Sequence, residues 1–369
     1  SCRNSSSWKV IRREVYIAQE NKKIRITGTF ILTSVLAGLV FTVSIAEAGG
    51  RNRVGGSAAA QLLIPVGARD MALGGSSSAS AEGLEALHWN PAGLAASAAS
   101  ASMLVSTMSY LADMQLNYAA VGASFGRLGH LAVKFKALTA GDIPVTTATS
   151  PDGTGGMYSP TLFTVGATYA NSLTDRIRMG STIHFISENI GRTNANGVSF
   201  SAGVQYAGLG SIRGLDLGIS IKHIGTRMTY GGPGLLFQGQ VDGLRRPGSF
   251  YRVEASSADL PSLFEIGLSY KVPVGGTQGL NLSTLFQHAN YDYDEYRLGA
   301  EYSLNKILVL RAGFMMPSEA EDDTFIYGTS FGLGLNIDVG AIHDLQIDYA
   351  YTAVEYFDSL NTFSFKLDF

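Results

Sequence analysis

Cysteine is nearly absent: the 369 residues hold a single one, Cys2. It precedes an apolar export-type segment, so the mature chain is expected to carry none, which excludes a disulfide framework and a Cys-ligated metal site. It is not placed for lipidation either, because the apolar segment follows it. Charged residues are scarce as well, 15% against the ~25% of an ordinary soluble domain. The formal net charge is −3, so no basic field points to nucleic acid. Beyond residue 48 every apolar run is broken by polar residues or Gly within about ten residues, too short to cross a bilayer as a helix. The six histidines (His88, His130, His184, His223, His288 and His343) fall at no metal-ligand spacing, and no H-E-x-x-H or phosphate-loop motif occurs. The sequence nominates no catalytic residue, no metal and no cofactor, and it reads as a non-enzymatic chain.

What is abundant is Gly, 44 residues, and aromatics, 10%. Together with low charge they exclude disorder and suit an all-β protein. Lys22, Lys23 and Arg25 precede a mostly apolar stretch, Thr27 to Ile45, and Ala46-Glu47-Ala48 follows. This is a secretory signal pattern with cleavage expected before Gly49; the rival reading is an uncleaved membrane anchor. Ser1 to Asn21 fits no n-region and has no Met, so it is expected to lie upstream of the true start. The reading is therefore 1–48 as extension plus signal, 49–98 as linker and plug, and 99–369 as barrel.

From about Ser100 onward apolar and polar residues alternate in segments of about ten. Ile177, Met179, Ile183 and Phe185 oppose Arg178, Thr182 and His184. Val198, Phe200 and Val204 oppose Ser199, Ser201 and Gln205. Phe264, Ile266 and Leu268 oppose Glu265, Gly267 and Ser269. Tyr327 falls on the oily face with Phe331, Leu333 and Leu335. A soluble sandwich also alternates. Here, however, the polar face mixes charge with Gly, as a wet, crowded lumen would, and Tyr110, Tyr169, Tyr291, Tyr293, Tyr351 and Tyr356 gather near strand ends like interfacial girdles.

Fourteen strands are predicted: 99–109, 115–125, 128–139, 160–172, 175–188, 196–208, 212–225, 261–272, 278–290, 294–304, 307–316, 325–337, 342–354 and 359–369. Connections after the even-numbered ones are short, whereas the long ones, Ala140 to Ser159 and Thr226 to Leu260, follow odd-numbered ones. Bacterial barrels have an even strand count and short periplasmic turns. The expectation is an all-β transmembrane antiparallel barrel of about fourteen strands in the outer membrane, with a plug inside and both termini periplasmic. The last segment alternates to an aromatic end, and Phe365, Leu367 and Phe369 resemble the signal read by the barrel-assembly machinery.

The stretch before the barrel does not alternate. It contains Gly67-Ala68-Arg69, Leu73-Gly74-Gly75 and Trp89-Asn90-Pro91-Ala92-Gly93-Leu94. Here the sequence resembles the PorV/PorQ family of outer-membrane proteins, within the FadL-like barrel class. The resemblance runs from about Ser57 to Phe369 and is motif-specific in this block alone. It implies a fourteen-stranded barrel with an internal plug, and a role in type IX secretion or surface attachment. Secretion-system components or exported cargo would then be partners, besides outer-membrane lipid. The alternative within the class is a channel for hydrophobic small molecules. Read from the residues alone, Pro91 fixes φ, Gly93 permits a turn and Asn90 can bond nearby backbone. The block would steer the chain from plug into the first strand, with Trp89 as anchor.

Two outer connections carry further candidates. Leu235, Leu236, Phe237, Arg245, Arg246, Phe250 and Tyr251 combine apolar and basic character on one long loop, which fits a partner-binding lip or an inward constriction. Glu319, Glu321, Asp322 and Asp323 form an acidic cluster, a Ca²⁺ or lipopolysaccharide contact or simply a solvated loop.

Overall fold

The computed structural model describes residues 55–239, 248–275, 277–318, 325–339 and 342–369. The export segment and the acidic cluster lie outside the described residues, as do Arg245 and Arg246.

Every strand residue needs a backbone partner, and a sheet in hydrocarbon finds them all only by closing. Eighteen strands follow in chain order: β1 (Ala101–Ser109), β2 (Gln115–Ser124), β3 (His130–Thr139), β4 (Ile143–Pro144), β5 (Met157–Tyr158), β6 (Thr161–Ser172), β7 (Ile177–Ile190), β8 (Thr193–Ala207) and β9 (Leu215–Gly225), then β10 (Leu236–Gly239), β11 (Ser249–Arg252), β12 (Leu263–Val272), β13 (Gly279–Ala289), β14 (Glu295–Leu304), β15 (Leu308–Pro317), β16 (Tyr327–Val339), β17 (Ile342–Val354) and β18 (Leu360–Asp368). Fourteen of them make one closed antiparallel barrel. Closure is the β1–β18 ladder, which runs from Ser102 opposite Asp368 to Ser109 opposite Asn361. The predicted strands match the barrel strands to within three residues at each end. The two small hairpins, β4–β5 and β10–β11, sit inside the two long connections, and alternation did not mark them.

Burial is inverted relative to a soluble protein. Ile183 is 60% exposed and Phe185, Val198, Phe200, Leu333 and Phe365 are exposed too, while Thr182, His184, Ser199, Ser201, Lys222, Glu265 and Asp348 are buried. Oily side chains ring the outside, the surface a barrel offers to lipid, and their polar neighbours face in. The lumen departs from the expected wetness, because the segment before β1 fills it. Leu84, Leu87 and Leu94 of that segment pack on Leu104, Met108, Leu116 and Leu138 of β1, β2 and β3. These strands place apolar residues among the polar ones of their inner face, Lys134 and Lys136 included, because a plug with leucines needs apolar wall to bury them.

Wall glycines mark where the plug backbone presses closest. A Cβ at Gly332, Gly313, Gly299, Gly218, Gly203 or Gly180 would overlap, respectively, Ala72, Gly74, Leu73 with Ser76, Ser78, Asn90 and Pro91. The strands run backward from β16 to β7 as the plug runs forward from Ala72 to Pro91.

Two expectations are corrected. Tyr327 does not face lipid: a register irregularity between Tyr327 and Ser330 in the β16–β17 ladder turns it inward. Tyr110 is no girdle residue, since its hydroxyl meets that of Tyr327 at 3.0 Å. Gly55 and Ala58 bond to Tyr291 in the β13–β14 connection and to Asp259 in the long β9–β12 loop, whereas Phe369 bonds to Ser100 and Ala101 at the short-turn end.

Candidate functional site

The plug is a string of short turns held by side chains from the wall. Gly67, at φ +87°, opens the helix Ala68–Ala72, and Ala68 N donates to Ser364 Oγ at 2.7 Å. Arg69 grips Glu301 with Nε at 3.0 Å and Nη2 at 3.2 Å, and reaches Asp70 and Glu85 at 3.4 Å. Arg311 bonds the same Glu301 at 2.7 Å and Asp348 at 2.6 Å. Such a buried network holds only while every charge is paired. It lies toward the short-turn end. Below it is a polar recess of about 400 Å³ lined by Glu82, Lys271, Asn281, Gln346 and Lys366, among others. Burial pushes the Glu85 carboxyl up to about 7, against the opposing pull of Arg69, and it pushes Asp70 up as well.

The Trp89 to Gly93 block lies elsewhere than expected. It does not form the turn into β1. Asn90 is fully buried against the wall, with Nδ2 donating to Ser78 O at 2.9 Å, Val204 O at 3.2 Å and Ile219 O at 3.4 Å. Its Oδ1 accepts from Ala92 N at 3.2 Å, and Pro91 starts a 3-10 helix, Pro91–Ala96. A side chain at Gly93 would run into Ala81 O, so Gly is needed there for contact. Gly74 and Gly75, at φ +62° and +71°, thread between the wall and Trp89, whose ring lies within reach of a Cβ on Gly75.

Two lysines hold the plug by its backbone. Lys134 Nζ donates to Leu87 O at 2.5 Å and Lys136 Nζ to Ile64 O. Burial above all, with Lys136, Lys222 and Lys134 nearby, holds His88 well below its ordinary value.

At the long-loop end, plug and wall enclose a cavity of about 240 Å³. Its apolar lining includes Leu62, Ile64, Pro65, Met71 and Met315. Its polar lining holds two buried ion pairs, Lys222 with Glu265 at 2.8 Å and Arg297 with Glu295 at 2.7 Å, and His88, Trp89 and His223. Tyr110, Asp292 and Tyr327 sit at its outer rim. Among the described residues no three His, Cys, Asp or Glu side chains converge as metal ligands. Of the sequence-nominated residues it gathers Gly74, Gly75 and Trp89. It adds Lys222, Glu265, Glu295 and Arg297, whose one advance signal was charge on an inward face, and His223, which alternation puts outward and the irregularity between Phe200 and Ala202 brings inward.

No protein-family model matches the chain, and no curated protein matches it. Solved structures share its architecture. A deletion mutant of the monoaromatic hydrocarbon channel TodX aligns over 83% of this chain and 98% of its own, at 12% identity and TM-score 0.52. The Pseudomonas putida toluene transporter TodX covers 83% and 97%, at 12% identity and TM-score 0.51. The barrel has the FadL-like fold. The Ralstonia pickettii toluene transporter TbuX repeats the match at 13% identity and TM-score 0.51, over 82% and 98%. At such identities the likeness concerns the fold alone, and it is the FadL-like part of the resemblance that it bears out.

The other nominated residues are dispersed. Leu236, Phe237, Phe250 and Tyr251 form the β10–β11 hairpin, with Leu235 just before it. Phe237 stacks on Tyr251 at 5.9 Å and Phe250 is 73% exposed. Phe365 pairs with Val105 and Ile347 in the closing strand, beside Leu367.

Proposed function

We propose that this chain is a non-enzymatic outer-membrane channel for small hydrophobic molecules, with the long loops outward and the short turns periplasmic. The half-apolar cavity between plug and wall at the long-loop end carries this reading. It is the space a molecule arriving from outside meets first, and the shared fold with two toluene transporters supports it. The reading is tested by uptake of labelled toluene into cells expressing the protein. Uptake should exceed that of cells without it and should fall when Met315→Trp fills the cavity. Equal uptake in all three strains would reject the channel.

A second reading follows from the PorV/PorQ likeness of the plug residues. In it the exposed aromatic hairpin β10–β11 contacts exported proteins of the type IX pathway, and Phe365, Leu367 and Phe369 address the barrel to its assembly machinery. The fold comparison favours the channel. Recovery of proteins bearing secretion-type C-terminal domains with the wild-type barrel, and not with one lacking 231–251, would favour the second.

A further inference from the structure

The polar side of the outer cavity is only partly satisfied. Its two ion pairs are complete, with Lys222 Nζ on Glu265 Oε1 and the Arg297 guanidinium on Glu295. Trp89 and His223 line the same cavity and are 2% and 4% exposed. Neither the indole Nε1 nor either imidazole nitrogen of His223 has a hydrogen-bond partner among the described residues. The two sit around Lys222, whose Nζ is 5.6 Å from the Trp89 ring centroid. His223 is held there by backbone: it adopts φ +61° beside the irregularity between Phe200 and Ala202 in the β8–β9 ladder. A buried polar group left unpaired is costly, and a ligand group that pairs with one atom of each ring would relieve two of the three.

The indole can only donate, and a neutral imidazole offers one donor and one acceptor. A hydroxyl meets both, accepting from one ring and donating to the other. A bare hydrocarbon would leave all three atoms orphaned. A carboxylate would bring negative charge to a wall where Glu265, Glu295 and Asp292 already face Lys222 and Arg297, both committed to partners. Size narrows the choice further: an enclosed apolar cavity of about 150 Å³ takes benzene, so 240 Å³ admits one ring with a hydroxyl and a small substituent. The apolar wall of Leu62, Ile64, Pro65 and Met315 receives the ring. We infer that the cavity selects a neutral single-ring phenol, its hydroxyl bridging Trp89 Nε1 and the His223 imidazole. The inference rests on the channel reading and names the ligand class for it.

The test is calorimetric titration of the full barrel in lipid nanodiscs, with empty nanodiscs as blank, using p-cresol, toluene and p-toluate, which share the methyl-substituted ring. p-Cresol should bind at least about tenfold more tightly than either other ligand, the worth of one buried hydrogen bond. Trp89→Phe keeps the ring and removes the N–H; His223→Asn keeps a side chain that tolerates positive φ. Each should weaken p-cresol about tenfold more than it weakens toluene, with folding checked by mobility on unheated gels. Toluene binding as tightly as p-cresol would overturn the phenol inference and leave the channel standing. Tightest binding of p-toluate would overturn it in favour of an acid, and unchanged p-cresol affinity in both variants would overturn the assigned residues. Failure of all three ligands to bind folded protein would overturn the inference, while the uptake assay decides the channel separately.

Discussion

Asn90 Oδ1 occupies the space that a side chain on Gly203 would need. The contact joins a residue of the plug to the inner face of β8, and the carboxamide is spent mostly on backbone: three carbonyls and, at 3.5 Å, Ser78 Oγ accept from Nδ2, and one N–H donates to Oδ1. Gly203→Ala is therefore expected to displace the plug without opening the wall, and Asn90→Ala to loosen it by about 1–3 kcal/mol, the cost of orphaned buried partners. In planar bilayers both variants should show larger and noisier single-channel conductance than the parent. Conductance equal to the parent's would mean the plug does not depend on this contact.

Arg311 ties Glu301 and Asp348 together inside the lumen. Arg311→Met strips Asp348 of its ion-pair partner, and breaking a buried pair on one side costs about 3–5 kcal/mol. The temperature at which the folded band disappears on a gel should drop. Adding Asp348→Leu should recover most of the loss, because the stranded charge goes with it; no recovery would show that packing of the guanidinium, not charge, is what matters.

The docked plug should also respond to acid. Burial holds the Glu85 carboxyl up near 7, while in a free chain it titrates near 4.3. The docked state keeps a proton that the undocked state gives up, so docking weakens as pH rises from about 4.5 to about 7 and is flat above. Amides of Gly83 to Trp89, corrected for intrinsic exchange, should be better protected at pH 5.5 than at pH 8. Glu85→Gln should erase the difference, and the same slope in that variant would assign the titration to another group such as Asp70.

Ile183 lies near the middle of β7 on the outward face, opposite Phe200. Ile183→Arg should destabilise the inserted barrel by about 2–4 kcal/mol, the mid-depth cost of a charge toward lipid. Urea titration in vesicles reads this directly. A shift below 1 kcal/mol would place this belt outside the hydrocarbon.

The wall was legible because period two leaves a mark in every strand: Ile183 and His184 differ in kind because they face different media. Tyr327 was misread because a bulge changes parity without changing composition. The plug was legible only as an interruption. Trp89-Asn90-Pro91 signalled local turns, but its partners, Val204 and Ile219, are more than a hundred residues away, and nothing local announces them. Glu265 was placed correctly on the inward face, yet its union with Lys222 across the β9–β12 seam, with Trp89 beside them, depends on register and closure that alternation does not encode.

The row of bare wall positions from Gly332 back to Gly180 has a consequence for biogenesis. Each is a seat for the plug, and the seats line up only once β7 through β16 stand side by side in final register. The portion of the chain that leaves the ribosome before the barrel therefore gains its full set of contacts only when the strands that follow it have paired.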